Sequence, residues 1–169
     1  MTFETIMMYF AQYGEIAIFV IILLEYLNLP GFPAGVIMPL AGLWAAEGNI
    51  NFLEALAISV AAGLIGSLVL YYLGWCGGNA FLKMYIKRFP KQKNAIEKNM
   101  DIIRQKGAVG VFVSKLIPML RTLISIPAGV VKMNLMTYIV SSVLGIFLWN
   151  LAFMGVGYFF GDMILSNYM

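Results

Sequence analysis

Three cations, three hydroxyls and two prolines inside an apolar run set the chemistry this chain can do. The run, Phe112 to Asn134, reads FVSKLIPMLRTLISIPAGVVKMN and carries Lys115, Arg121 and Lys132 together with Pro118 and Pro127. Taken as one helix at about 100° per residue, it places Ser114, Lys115, Pro118, Arg121, Thr122 and Ser125 within an arc of about 120°. Leucine, isoleucine and methionine fill the rest of the circle. An Arg or Lys at the centre of a bilayer costs on the order of 3 kcal/mol even on the lenient insertion scale, so it faces a cavity or a partner. The stripe is therefore read as an anion site. Arg121 supplies a guanidinium that grips two oxygens at once, and Lys115 an auxiliary point charge, so Lys115→Arg is expected to be tolerated. Thr122 and Ser125 add hydroxyl donors. Backbone N–H groups freed at a helix break at Pro127-Ala128-Gly129 would add the positive end of a dipole. The plain alternative is an interfacial helix whose cations snorkel to the headgroups.

The elements that must hold these groups are membrane helices. The chain is 62% hydrophobic and 11% charged, with a mean hydropathy of +0.87, where a soluble chain carries roughly twice that charge. One membrane domain over residues 1–169 is expected. No Lys or Arg precedes Lys83, so the basic n-region of a cleavable signal is missing and Met1 onward is expected to be retained. Cys76 is alone and there is no histidine. Internal disulfides, Ser-His-Asp catalysis and the common zinc sites are thereby removed, and neither enzyme activity, cofactor nor metal is expected.

Residues 3–13 have the spacing of an amphipathic interfacial helix. Ile16 to Leu24 is apolar, then Glu25 enters the run, followed by Pro30, Gly31, Pro33, Gly35 and Pro39. Neither apolar stretch reaches the ~20 residues of a simple span. Broken backbone at membrane depth must be surrounded by protein or line a wet cavity. Residues 15–46 are therefore read as a re-entrant hairpin with Glu25 and the breaks Pro30 and Pro33 near its tip. Glu25 is read as a buried proton-coupling carboxylate, the alternative being a helix-end residue at the interface.

Phe52 to Trp75 is long enough to span, with Gly66 among the small residues that let another helix approach. Lys83 to Lys106 sets eight Lys and Arg against Glu97 and Asp101. This basic connecting loop reads as cytoplasmic, with both termini on the other side, and it can attract anionic headgroups. Its cations are not interleaved with stacking aromatics, so no nucleic acid is expected. Leu135 to Phe160 is the second span, with Asn150 expected to bond another helix and Gly157 to pack against one.

Pro33-Ala34-Gly35-Val36 recurs as Pro127-Ala128-Gly129-Val130. Each copy follows a broken, charged apolar helix and precedes a span. The fold expected is an all-α integral membrane protein of two inverted repeats, each a re-entrant hairpin plus one transmembrane helix. The first repeat covers residues 1–75, the basic connection 76–107 and the second repeat 108–162. The hairpins would enter from opposite faces and bring Glu25 near Arg121.

These residues resemble the DedA family, the bacterial branch of the VTT-domain (SNARE-associated) membrane proteins. The resemblance spans about residues 15–162. It rests on Glu25 before Pro30 and Pro33, on Lys115-x-x-Pro118-x-x-Arg121, on Pro127-Ala128-Gly129 with Met133, and on Trp149-Asn150 in a glycine-rich last span. The family often has an acidic residue where this chain has Gly35-Val36, and Gly-Arg where it has Ser114-Lys115. The resemblance implies a flippase- or scramblase-like transporter in the bacterial cell membrane. It would move a phosphate-headed lipid, polyprenyl phosphate or a phospholipid, between leaflets, in some members with proton coupling. A homo-oligomer is compatible with it. A proton- or cation-coupled solute transporter and a non-transporting assembly factor are the competing readings.

Overall fold

The computed structural model describes residues 5, 8–9, 12–28, 35–47, 49–118 and 120–166, without the side chains of 161–166. Pro30 and Pro33 lie outside these residues. Among the described residues the protein is helical and has no strands. In chain order the helices are α1 (Glu15–Tyr26), α2 (Ile37–Ala46), α3 (Phe52–Arg88), α4 (Lys93–Lys115), α5 (Leu120–Leu123), α6 (Ser125–Val130) and α7 (Leu135–Ser166), with a short 3₁₀ turn, Pro90–Gln92, before α4.

Among the described residues, two helices are long and apolar enough to cross a membrane, Phe52–Arg88 and Leu135–Phe160. α1 and α2 have 12 and 10 residues. At about 1.5 Å per residue each is roughly half of the ~30 Å hydrocarbon layer. α1 stops because Asn28 turns left-handed (φ 57°), its N–H bonding the Glu25 carbonyl at 2.9 Å. Asn is among the few L-residues that visit this conformation readily.

The chain divides into two compact units, residues 1–63 with 147–169, and residues 64–146. In the first, α2 lies against α7 backbone to backbone. A β-carbon at Gly42 would overlap the Met154 carbonyl, and one at Gly157 the Pro39 carbonyl. In the second, α6 meets α3 in the same manner: Gly129 lies on the Tyr71 carbonyl and Gly74 on the Ile126 carbonyl. Tyr71, Ile103, Val111, Ile124, Ala128 and Tyr138 form an apolar core there.

The segment expected to be a loop, from Lys83 to Lys106, is helical almost throughout. It continues α3 beyond a kink at Gly78 and forms α4 up to a kink at Gly107. Both glycines sit at φ 51°, with ψ −142° and −122°, and a β-carbon at either would meet nothing within 4 Å. Glycine is needed at these corners for its backbone, since this region is essentially closed to residues with a side chain.

A candidate anion site built on the second hairpin

The continuous helical stripe is corrected by the structure. The chain leaves α4 after Lys115, turns through Leu116–Pro118, and resumes at Leu120. Lys115 thus ends the outgoing helix, while Arg121, Thr122 and Ser125 lie on the return. Pro118 is at the turn and exposed, as a break residue should be. Pro127 is not a break. It sits in the first turn of α6, where a missing N–H interrupts little, and Ala128 N–H still bonds the Ile124 carbonyl at 3.1 Å.

Folding back keeps Lys115 and Ser125 of that stripe in contact. Lys115, Arg121 and Ser125 are at most 1% exposed and Thr122 is 5% exposed. The Lys115 ammonium donates to Ser67 Oγ of α3 at 2.8 Å and to Ser125 Oγ of α6 at 3.3 Å. Tyr138 of α7 closes the ring: its hydroxyl lies 2.7 Å from Ser125 Oγ and 3.2 Å from the Ser67 carbonyl. A carbonyl can only accept, so Tyr138 donates to Ser67 and accepts from Ser125, which in turn accepts from Lys115. The Tyr138 ring also stands 5.9 Å from the ammonium and stacks on Tyr71 at 4.7 Å between centroids. Four helices therefore fix one cation through hydroxyls. The two carboxylates of this unit, Glu97 and Asp101, are exposed on α4, so the buried formal charge of the unit is positive.

Close backbone contacts surround Gly129 and Lys115. A β-carbon at Gly129 would overlap the Tyr71 carbonyl and crowd Trp75 N, and Gly129 lies near the carboxyl end of α6 rather than at an open amino end. Its lack of a side chain serves the close approach of α6 to α3. Gly145 of α7 likewise brings its backbone against Cβ and Cγ of Lys115, atoms that an arginine would share.

Glu25 lies in the other unit, 2% exposed near the end of α1. Its neighbour Tyr26 donates to Asn150 Oδ1 of α7 at 3.2 Å, and Asn150 Nδ2 donates to Ser59 Oγ of α3 at 3.0 Å. Asn150 thus bonds two helices, and Gly157 packs on α2 in the same unit. Gly66 is buried in α3.

Tyr138, Ser67, Tyr26 and Ser59 are site residues that the sequence reading passed over. A signal for part of them exists. Ser59, Ser67 and Gly74 of α3 have the same spacing as Ser142, Asn150 and Gly157 of α7. Polar and small residues at matched spacing in two spans mark the helix faces that receive partners.

The geometry offers two helices apolar enough to cross a membrane and a buried cation held by hydroxyls. Comparison with known proteins gives the family. Residues 32–159 match the VTT domain, and the chain belongs to the VTT-domain, DedA-type membrane proteins. It is 34% identical over 153 residues to undecaprenyl phosphate transporter A of Staphylococcus aureus, covering 88% of this chain and 75% of that one. A protein of the same name in Bacillus subtilis is 33% identical over 125 residues, 74% of this chain and 63% of its own length. A Lactococcus lactis relative called alkaline phosphatase-like protein is 25% identical over 94% of this chain and 76% of its own. No solved structure matches.

Proposed function

We propose that the protein transports a phosphate-headed lipid, a polyprenyl phosphate first among the candidates, between the leaflets of the bacterial cell membrane. The observation that carries this reading is a buried cation, Lys115, held by hydroxyls in the same unit as buried Arg121. Relatives named for transporting undecaprenyl phosphate supply the substrate class. A phosphate monoester offers several oxygens to a guanidinium and an ammonium at once. Serine, threonine and tyrosine hydroxyls can donate as well as accept, so the site can exchange its internal bonds for bonds to phosphate. The chain has no histidine, which sets aside His-dependent phosphatase chemistry for the Lactococcus name.

The fold we infer is two inverted repeats, each a re-entrant hairpin plus one span. The likeness of the glycine contacts supports a duplicated unit: Gly42 with Met154 and Pro39 with Gly157 on one side, Gly129 with Tyr71 and Ile126 with Gly74 on the other. This pairing equates Ala41-Gly42 with Ala128-Gly129, a different register from the four-letter repeat at Pro33. Glu25, buried beside the Tyr26–Asn150–Ser59 chain, is the group we assign to proton coupling.

The test is transport of a polyprenyl phosphate in proteoliposomes. Wild type should move the lipid, Arg121→Ala should not, and Arg121→Lys should be severely impaired despite its charge, because an ammonium cannot grip two oxygens in one plane. Each variant is first checked for insertion and monodispersity. Transport by Arg121→Ala at the wild-type rate would end the reading.

A further inference from the structure

Between the corners at Gly78 and Gly107 the chain forms two helical arms, joined by the 3₁₀ turn at Pro90–Gln92. Most of their apolar residues turn inside the protein, Met84 being an exception at 62% exposed. Ala95 and Ile96 of the second arm pack with Leu120 and Leu123 of α5, and Leu82, Tyr85, Ile86 and Ile102 close over them. Tyr85 donates to Gln92 across the turn at 2.9 Å, and Asn99 Nδ2 reaches the Leu120 carbonyl at 3.4 Å. The arms are thus seated on the short helix that carries Arg121, on the residues flanking it in sequence.

With the apolar seam turned inward, the charges face outward. All eight Lys and Arg between Lys83 and Lys106 are exposed, against two exposed acids, Glu97 and Asp101. One ion pair, Lys93–Glu97 at 3.7 Å, links the two signs among the described residues, and its side chains are 56% and 58% exposed. A topogenic loop needs only the charge. It does not need two helices, a shared core, and an anchored seat on the hairpin that bears the buried cations.

We propose that residues 79–106 are a docking surface for the anionic headgroups of the adjoining leaflet, which gathers phosphate-headed lipid at the Arg121 hairpin. The gathering step rests on the function proposed above; the headgroup contact does not. Because most of the apolar seam is internal, the arms hold lipid mainly by charge. Their contribution therefore falls within a Debye length of the surface and fades with salt.

Two measurements test this, both on the full chain in bilayers. In the first, a fluorophore is placed at exposed Asn94 as Asn94→Cys in a Cys76→Ser background. Quenching is compared for phosphatidylglycerol and phosphatidylcholine carrying the same nitroxide high on one acyl chain. Preferential quenching by the anionic lipid is expected at low salt, and it should disappear when Lys83, Lys87, Lys91 and Lys98 are changed to Gln. Equal quenching by the two lipids overturns the proposal. In the second, the same four-lysine variant is assayed for polyprenyl phosphate transport, after impermeant labelling of Asn94→Cys confirms unchanged orientation. Neutralising four surface lysines should raise the half-saturating lipid fraction about tenfold or more and flatten its salt dependence. An unchanged half-saturation and salt dependence also overturns it. The two readings separate cleanly: normal transport by Arg121→Ala with anionic quenching preserved removes the substrate site and leaves the docking surface.

Discussion

Ser67→Ala removes the shortest acceptor of a buried ammonium while leaving the helices otherwise unchanged. The bond from Lys115 is 2.8 Å long and both groups are fully buried or nearly so. A hydrogen bond to a charged group contributes about 1.5–3 kcal/mol, against about 0.5–1.5 kcal/mol for a neutral pair. The matched control is Ser59→Ala, which takes a neutral bond from Asn150 at 3.0 Å in the other unit. Both serines are 0% exposed; Ser59 also donates to the Leu56 carbonyl of its own helix at 2.7 Å, so the control loses neutral bonds only, whereas Ser67→Ala loses a bond to a charge. With 2–4 °C of melting shift per kcal/mol for a chain of this size, Ser67→Ala should lower the melting temperature by about 3–12 °C and Ser59→Ala by about 1–6 °C. A phosphate bound at Lys115 would replace the lost acceptor. Polyprenyl phosphate should therefore stabilise Ser67→Ala by more degrees than it stabilises wild type. Thermal unfolding in detergent with and without the lipid reads both effects. If Ser67→Ala is no more labile than Ser59→Ala, or gains nothing extra from phosphate lipid, the ammonium is not held as described.

Gly129→Ala and Gly157→Ala should each impair folding, because the new methyl would overlap a backbone carbonyl of another helix that cannot swing aside, while Gly155→Ala, with open space around it, should be neutral. Monodispersity on size exclusion separates these outcomes. Gly78→Ala and Gly107→Ala should each destabilise by about 1–3 kcal/mol through backbone strain alone, read as earlier unfolding in the same assay. Glu25→Gln should remain folded but lose any dependence of transport on a pH gradient, measured by dye-monitored proteoliposomes; a normal pH response in this variant would make Glu25 a structural residue. Cysteines introduced at Asn94 and near either terminus should label from opposite sides of the membrane, with Asn94 cytoplasmic.

The spans and the buried charges were legible because they rest on strong local signals. Two apolar runs of sufficient length in α3 and α7, a lone Glu25, and Lys115 with Arg121 in an apolar setting each carry an energetic cost that a sequence reveals directly. What was not legible came from long-range contact. A helical wheel from Ser114 to Ser125 assumes an unbroken helix, and the turn at Leu116–Pro118 voids that assumption. The wheel nonetheless grouped Lys115 with Ser125, because the turn folds the second helix back onto the first. Pro127 drew attention as a breaker although a first-turn proline breaks nothing. Gly129 drew attention beside it for a backbone donor role, whereas its missing side chain serves helix approach. Tyr138 gave no local signal at all: one tyrosine early in a span reads as an interface residue until α3 and α6 are placed beside it.

The matched polar positions of the two spans suggest how one scaffold came to hold two different sites. Ser67 in α3 and Asn150 in α7 are each the residue that a hairpin's outgoing helix reaches from its end, Lys115 in one case and Tyr26 in the other. The receiving group fits the donor. A serine hydroxyl suffices for an ammonium, which brings three hydrogens and seeks further acceptors in Ser125. A phenol brings one hydrogen, and the amide that accepts it passes a donor on to Ser59. The two sites therefore differ in the charge of the terminal residue, Lys115 in one and Tyr26 in the other. The glycine contacts that seat α2 on α7 and α6 on α3 stay alike while the chemistry diverges, leaving a cation in one unit and the carboxylate of Glu25 in the other. In the function we propose, Lys115 and Arg121 take the phosphate in one unit and Glu25 takes the proton in the other.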